Sequence, residues 1–193
     1  MTIPGTLASR PLSELPSGAV RGRSAHPAGS ELHFSDRHRL SPVELLAIAH
    51  GFAGLARRWP GLANPAERRW SLVAATAHFE AFVIGWPAEG LLELHDHGGA
   101  SGAIVVASGT LVETSVGRTP TDRTIQVTNV LHAGRHVAFE ADRVHDVVNE
   151  GPDPATSVHV YSPALTSMTF YRRSATGSLV AGRTERFAPG SEP

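Results

Sequence analysis

The sequence predicts a mainly β domain, an antiparallel sandwich or barrel preceded by a helical segment. Three observations indicate this fold class: short β-like runs follow one another from about Trp70, glycine and proline separate them, and no helical pattern interrupts them. Closely spaced strands without intervening helices pair with their neighbours in antiparallel fashion. A chain of 193 residues is long enough to bury a core within one such domain.

The N-terminal part of the chain divides into a lead-in and a helix. Residues 1–35 are rich in Pro, Gly, Ser and Arg and contain few large apolar side chains, so we expect an irregular lead-in. Residues 41–44 read Ser-Pro-Val-Glu, which combines a cap residue, a proline in the first helical position and an early acid. Apolar residues then recur at helical spacing up to Pro60. We therefore expect a helical cap over about 41–59 that packs on the main sheet.

The rest of the chain alternates between short strands and turns. Nine runs have the composition of strands, and the predicted barrel covers about residues 68–175 within a single domain of residues 36–193. The tail from Thr176 is polar and contains Gly and Pro, so we expect it to lie along the surface. The predicted strands are Phe79–Trp86, Leu91–His97, Ala103–Ser108, Thr110–Val116, Thr124–Leu131, His136–Glu140, Val144–Asn149, Thr156–Tyr161 and Met168–Arg172.

The composition limits which binding partners and which cellular compartment we expect. A net charge of -1 provides no electrostatic footprint for nucleic acid or an anionic membrane. The absence of cysteine excludes a disulfide framework, a thiolate metal ligand and a cysteine nucleophile. No basic segment followed by an apolar core opens the chain, and no apolar run approaches the ~20 residues of a membrane span. We expect a cytoplasmic protein, a monomer or small homo-oligomer, without nucleic-acid or membrane partners.

Two histidines two residues apart are the strongest functional signal. On a β-strand the side chains of His95 and His97 point the same way, while Asp96 points to the other face. With His145 arriving from a distant strand, they would form a three-nitrogen metal site that leaves coordination positions open. The alternative is that the pair lies by chance on a solvated strand.

The surroundings of these histidines resemble the two motifs of the cupin superfamily. Gly90 and Gly109 flank the histidine pair as in the first motif, and Gly134 and Asn149 stand around the third histidine as in the second. The resemblance implies a jelly-roll β-barrel with N-terminal helices that binds metal in its interior. Gly102 replaces the metal-binding Glu of many cupins, so a divalent ion would keep its full charge and favour an anionic ligand such as a thiolate. The Pro-x-Gly that usually precedes the third histidine is also absent.

Three stretches resemble the cysteine dioxygenase family more specifically. Trp86 precedes His-Asp-His-Gly-Gly-Ala-Ser-Gly at residues 95–102, residues 145–149 read His-Asp-Val-Val-Asn, and residues 157–163 read Ser-Val-His-Val-Tyr-Ser-Pro. The likeness covers roughly residues 65–172. It implies one Fe(II) per chain, bound by three histidines, which are His95, His97 and His145.

The resemblance also implies the residues that act on substrate. Ser157, His159 and Tyr161 match the family's outer-sphere relay, and their spacing places them on one strand face; the alternative is a solvated face. The relay would hold the Tyr161 hydroxyl toward the substrate by hydrogen bonds. Many eukaryotic members carry, at the position of Gly102, a cysteine linked to the tyrosine. A chain without cysteine resembles the bacterial type, with an unmodified tyrosine.

An arginine before the first motif holds the substrate carboxylate in this family. Spacing points to Arg69, with its neighbour Arg68 left open. A guanidinium suits the role because its planar fork pairs a carboxylate through two parallel hydrogen bonds. Arg172 and Arg173 are alternatives, because some related thiol dioxygenases use an arginine after the tyrosine-bearing strand. A solvated arginine without a substrate role is the remaining interpretation.

The predicted function is that of a thiol dioxygenase involved in cysteine catabolism. The favoured reaction adds both atoms of O2 to the thiol of L-cysteine and produces cysteine sulfinic acid. A dioxygenase of another small thiol, such as 3-mercaptopropionate, is the alternative within the same class. A non-enzymatic metal-binding cupin that binds or senses a small ligand is the alternative from another class.

Overall fold

The computed structural model describes residues 39–55, 58–59, 62–118, 124–175 and 177–188. This part of the chain contains one α-helix and eleven β-strands. The helix α1 spans Pro42–Ala53. The strands are β1 (Arg69–Ala75), β2 (Glu80–Trp86), β3 (Leu91–His95), β4 (Ser101–Ser108), β5 (Thr110–Arg118), β6 (Thr124–His132), β7 (His136–Phe139), β8 (Val144–Val148), β9 (Ala155–Ser162), β10 (Ser167–Arg173) and β11 (Leu179–Arg186).

Helix α1 begins where the sequence predicts and ends earlier. The Glu44 backbone N–H donates to Ser41 Oγ at 3.4 Å, and the Ser41 backbone N–H donates to the Glu44 carboxylate at 2.8 Å. This reciprocal capping box satisfies two donors that a helix start would otherwise leave free. The helix ends at Ala53, well before residue 59, and it is the single α-helix of the described residues. Its buried residues Leu45 and Ala49 contact a cluster of small and branched side chains on the neighbouring sheet.

The strands form two antiparallel sheets. One has five strands in the order β1-β2-β9-β4-β7, and the other has six in the order β11-β10-β3-β8-β5-β6. The sequence expectation of a mainly β, jelly-roll fold is confirmed, but the described strands form two separate sheets and not a closed barrel. A large apolar cluster draws residues from both sheets, including Phe82, Ile104, Leu111 and Phe170, so the main core lies between them.

The five-stranded sheet is buried on both faces at its centre. Strands β2 and β9 have buried residues at every position, because alternate side chains face the main core and the helix. Phe82 and Ile84 belong to the core between the sheets, whereas Ala81 and Val83 belong to the cluster under α1. Residues of β9 that face the main core are therefore removed from solvent.

The sequence pattern did not predict two of the strands, β1 and β11. Strand β1 pairs with β2, and β11 pairs with β10 from Ser167 opposite Arg186 to Arg173 opposite Leu179. The tail from Thr176 was expected to lie along the surface, but part of it is a paired edge strand. Nearly all residues of β11 are exposed. It therefore lacks the apolar alternation by which a strand is found, and its backbone hydrogen bonds hold it in place.

Residues 1–35, the predicted lead-in, lie outside the described part of the chain, and the predicted domain boundaries stay a prediction. Among the described residues, no helix has both the length and the apolar character needed to cross a membrane.

Candidate metal centre

Three buried histidines converge between the two sheets. His95 ends β3 and lies directly opposite His145 of β8, while His97 follows two residues after β3. One nitrogen from each ring lies within 4.8 Å of the other two, and the Nε2 atoms of His97 and His145 are 3.2 Å apart. All three side chains are at most 1% exposed. The structure thus brings together the three residues that the sequence singled out.

Hydrogen bonds behind the rings fix which nitrogens are free. His95 Nδ1 lies 2.7 Å from the backbone oxygen of Glu93, and because a carbonyl only accepts, this nitrogen carries the proton. His145 Nδ1 lies 3.0 Å from the carboxylate of Glu113 and donates to it for the same reason. Both rings are left with a bare lone pair on Nε2. The one on His95 is buried and has no hydrogen-bond partner.

The electrostatics of the cluster keep the rings of His95 and His97 neutral. Burial, followed by the nearby His145 ring, holds the pKa values of His95 and His97 well below the ordinary value. The His97 ring also stacks on Phe139, with ring centroids 4.8 Å apart. Neutral imidazoles with unpartnered lone pairs are the form in which histidine binds a metal. The residues present therefore fit a first-row transition metal ion.

A buried carboxylate stands behind one of the histidines. Glu113 is fully buried and accepts hydrogen bonds from His145 Nδ1, from Asn129 Nδ2 at 2.8 Å, and from Arg143 Nη2 at 2.9 Å and Nε at 3.2 Å. Burial acts to raise the pKa of Glu113, but the hydrogen bonds from His145 and Asn129 outweigh it, so the pKa lies below its usual value. Such a partner orients the imidazole and increases its basicity. The sequence shows only an acid on a strand and offers no sign of this role.

A chain of four buried side chains forms on the opposite wall. Trp86 Nε1 donates to Ser157 Oγ at 2.8 Å, and Ser157 Oγ lies 2.9 Å from His159 Nε2. His159 Nδ1 lies 3.1 Å from the Tyr161 hydroxyl. The predicted relay residues therefore share the inner face of β9 as expected, and Trp86 of β2 extends them. Sequence reasoning included Trp86 in the family resemblance without assigning it a role.

The environment keeps the relay uncharged. Burial lowers the pKa of His159 to about 3, so the ring is neutral at physiological pH. Burial also raises the pKa of Tyr161, against an opposing effect from Arg68. The Tyr161 ring centroid lies 5.2 Å from that of His97, which places the end of the relay beside the histidine cluster.

Gly102 explains why no carboxylate joins the three histidines. A Cβ atom at this position would lie 2.5 Å from the Phe139 ring and 3.0 Å from Cδ1 of Tyr161. A larger residue there requires the Phe139 ring to move. The space is occupied by aromatic rings, and Gly102, which lies opposite Tyr161 on β4, has no side chain with which a covalent link could form.

A mostly apolar cavity of about 490 Å³, including its open mouth, lies beside Tyr161. Its polar residues are Tyr161, Arg68 and Glu185, and the last of these comes from β11. Phe170, whose ring centroid is 6.0 Å from that of His95, connects the cavity wall to the histidine cluster. The full lining is Arg68, Trp70, Phe82, Ile84, Leu92, Tyr161, Leu165, Met168, Phe170, Glu185 and Phe187.

The cavity arginine is Arg68 and not Arg69. The Arg68 guanidinium carbon lies 5.3 Å from the ring centre of Trp70 and 5.7 Å from that of Trp86, and burial lowers the pKa of this group. Arg69 points to solvent, where it pairs with exposed Glu67 at 3.2 Å. Adjacent residues of an extended chain face opposite sides, so only one of the two can reach the cavity. The sequence spacing favoured Arg69, whereas the cavity is lined by Arg68; which arginine binds the substrate stays a prediction.

The other two candidate arginines also lie elsewhere. Arg172 and Arg173 are exposed at the end of β10 and do not line the cavity. The structure therefore places one of the four arginines considered, Arg68, beside the relay tyrosine.

Fold and site together define the class of protein. Two antiparallel sheets around a buried three-histidine site are those of a metal-dependent cupin enzyme. The chain matches the family cysteine dioxygenase type I over residues 34–174. It belongs to that family, and its enzyme type is accordingly that of a dioxygenase.

Solved structures provide further likenesses. A Thermus thermophilus protein, TT1209, is 21% identical, with a TM-score of 0.43 over 52% of this chain and 88% of that one. Oxalate oxidase in complex with the substrate analogue glycolate is 17% identical, with a TM-score of 0.47 over 56% of this chain and 57% of that one. A cupin sugar phosphate isomerase from Silicibacter pomeroyi is 18% identical, with a TM-score of 0.44 over 65% of this chain and 81% of that one. Comparison with curated proteins gives no match.

Proposed function

We propose that this protein is a cysteine dioxygenase that uses Fe(II) to add both atoms of O2 to the thiol of L-cysteine, producing cysteine sulfinic acid. The observation that carries the proposal is the juxtaposition of three features: the buried histidine cluster, the tyrosine held by its relay, and the cation Arg68 in a mostly apolar cavity. Family membership supports the reaction type.

The histidine cluster is suited to an ion that receives an anionic sulfur. His95, His97 and His145 would hold the ion through neutral nitrogens, and Gly102 contributes no carboxylate beside them. Bound iron would supply the redox chemistry that joins dioxygen to sulfur. Because the three ligands carry no charge, the site as a whole stays cationic and favours a thiolate over a neutral thiol.

Arg68 is suited to the carboxylate of the substrate. Among the described residues its guanidinium makes no hydrogen bond or ion pair, although it stacks over Trp70 and Trp86. Burial weakens the hydration of such a cation, so a carboxylate that enters the cavity finds a partner there. The same ion pair would fix which way the substrate thiol points.

Tyr161 is suited to contact the reacting end of the substrate. Its hydroxyl is held by His159, and the residue lines the cavity with its ring beside that of His97. Because burial raises its pKa, the phenol keeps its proton at physiological pH. The surroundings of this buried residue are mostly apolar, which strengthens any hydrogen bond that its hydroxyl makes to the substrate.

The test is product formation by the iron-loaded protein. L-Cysteine is added anaerobically, oxygen labelled with ¹⁸O is then admitted, and the product is identified by mass spectrometry. We expect cysteine sulfinic acid that carries two labelled oxygens. The absence of sulfinate from every thiol tested would contradict the proposal and favour a binding or sensing cupin.

A thiol panel tests the identity of the substrate separately. 3-Mercaptopropionate shares the thiol and carboxylate of cysteine but lacks the amine, and cysteamine lacks the carboxylate. We expect the highest kcat/KM with L-cysteine. A higher value with 3-mercaptopropionate would keep the reaction type and replace the substrate.

A further inference from the structure

The hydrogen-bond chain behind Tyr161 ends at a group that can only donate. Trp86 Nε1 contacts Ser157 Oγ at 2.8 Å, and an indole N–H has no lone pair with which to accept a proton. Every other member of the chain, from Ser157 through His159 to Tyr161, can in principle donate or accept. The direction of the whole chain therefore depends on how Ser157 uses its single proton.

One direction pairs every proton of the relay except the one on the Tyr161 hydroxyl. Ser157 accepts from Trp86 and donates to His159 Nε2, at 2.9 Å. A neutral His159 must then carry its proton on Nδ1, which donates to the Tyr161 oxygen at 3.1 Å. The proton of Tyr161 is left over, and this hydroxyl belongs to a residue that lines the cavity.

The opposite direction leaves a buried proton without an acceptor. If Tyr161 donated to His159 Nδ1, then His159 Nε2 would donate to Ser157, which already receives the Trp86 proton. The Ser157 hydroxyl hydrogen would have no acceptor among the described residues, and Ser157 is fully buried. An unsatisfied buried hydroxyl is costly. A charged His159, which would donate on both sides, is disfavoured by its low pKa of about 3.

We propose that Trp86 is a positioning residue that sets the direction of the relay, so that the Tyr161 hydroxyl donates its hydrogen bond into the cavity. This inference rests on the relay role proposed above for Tyr161. A donor aimed at the substrate stabilises negative charge that develops on the sulfur or on the oxygen that reaches it. The same indole lies under the guanidinium of Arg68, so one buried side chain positions both groups that would contact substrate.

The direct test is the tautomer of His159. Full-length protein labelled with ¹⁵N-histidine and loaded with diamagnetic zinc is measured by NMR, and His159 is assigned by the signals lost in His159→Gln. We expect a proton on Nδ1 and a bare Nε2 at neutral pH. A proton on Nε2 in the wild-type protein would overturn the proposed direction. Because this measurement involves no turnover, a failure of the proposed reaction would leave its result unaffected.

The role of Trp86 itself is tested by Trp86→Phe. The variant keeps an aromatic ring and removes the donor, which leaves room for a water that can accept the Ser157 proton. We expect two tautomers of His159 in place of one, and a kcat in the iron-loaded enzyme that falls toward that of Tyr161→Phe while the iron content is retained. A single Nδ1–H tautomer in the variant would show that Trp86 does not set the direction.

Two further variants separate direction from stability. Val83→Ala removes a buried side chain of β2, the strand of Trp86, on the face toward α1. We expect this variant to be less stable but to keep the single tautomer of His159. Ser157→Ala cuts the chain between Trp86 and His159, and we expect mixed tautomers there as well. This variant keeps the test open if Trp86→Phe does not fold, since a single Nδ1–H tautomer in Ser157→Ala would equally contradict the proposal.

Discussion

The two walls of the site differ in whether the protein itself provides a hydrogen-bond partner for each buried polar atom. The six-stranded sheet carries the metal-binding wall, where His95 ends β3 and His145 lies in β8. The five-stranded sheet carries the relay wall, where Tyr161 lies in β9. On the relay wall, each polar side-chain atom from Trp86 to Tyr161 has a hydrogen-bond partner in the protein. On the metal-binding wall, the Nε2 atom of His95 has none. Folding alone pairs the polar atoms of the relay, whereas the metal-binding wall keeps a bare buried lone pair that suits an ion.

This difference has an energetic consequence. A buried lone pair without a donor lowers the stability of the folded protein, and an ion that binds only the folded state restores it. The relay wall has no such dependence. Metal loading should therefore raise the melting temperature of the wild-type protein, and relay variants should keep that response.

The largest expected effect comes from breaking the metal-binding wall. Replacing His95, His97 or His145 with Ala should remove most bound iron and nearly all activity, because three ligands leave no redundancy. Metal content measured by elemental analysis checks this. His132→Ala, which changes an exposed histidine outside the cluster, is the control and should retain iron. Full occupancy in all three ligand variants would refute the assignment.

Breaking the relay wall should leave the metal in place. Tyr161→Phe removes the hydroxyl and is expected to lower kcat by about 10²–10⁴-fold, the range typical of positioned acid–base groups. Tyr171→Phe is the matched control, because the Tyr171 hydroxyl donates to Asp96 at 2.7 Å and does not line the cavity. Equal turnover by the two variants would return Tyr161 to a structural role.

Glu113, which lies behind His145 of the metal-binding wall, is expected to affect metal affinity. Glu113→Gln keeps the size of the side chain but weakens the acceptor for His145 Nδ1. We expect metal affinity to fall by about 10–100-fold, as is usual for such outer partners. Competition with a chelator measures this without turnover, and the exposed Glu150→Gln is the control. Unchanged affinity in Glu113→Gln would show that the carboxylate only supports the fold.

The last prediction concerns the cavity between the walls. Arg68→Gln should raise the KM for L-cysteine by about 30-fold, equivalent to about 2 kcal/mol, the low end for loss of a charged pair because this side chain is only partly buried. Iron content should not change, and cysteamine, which has no carboxylate, should respond little. Arg69→Gln is the control. A KM effect in Arg69→Gln alone would reverse the assignment.

Several features could be predicted because they depend on local periodicity. Alternation along a strand placed Ser157 beside His159 and Tyr161 without knowledge of the partner strands, whereas His97 joins His95 from two residues beyond the end of β3. The start of α1 was equally local, since a cap and an acid three residues later suffice to satisfy its first backbone donors.

Other features depended on how strands meet. The face that β1 presents to the site decides whether Arg68 or Arg69 faces the cavity. Spacing along the sequence does not contain that information. Glu113 and Trp86 acquired roles only because β5 lies beside β8 and β2 lies beside β9.

The sequence by itself therefore predicted the chemical groups that the structure brings together: three histidine nitrogens, a tyrosine with its hydrogen-bond partners, and an arginine. Tertiary structure alone decided that Arg68 is the cavity arginine, that β11 is a paired edge strand, and that the strands form two sheets. The physical reason is that side-chain alternation is a property of one strand, whereas register and facing are set by packing between strands distant in the chain.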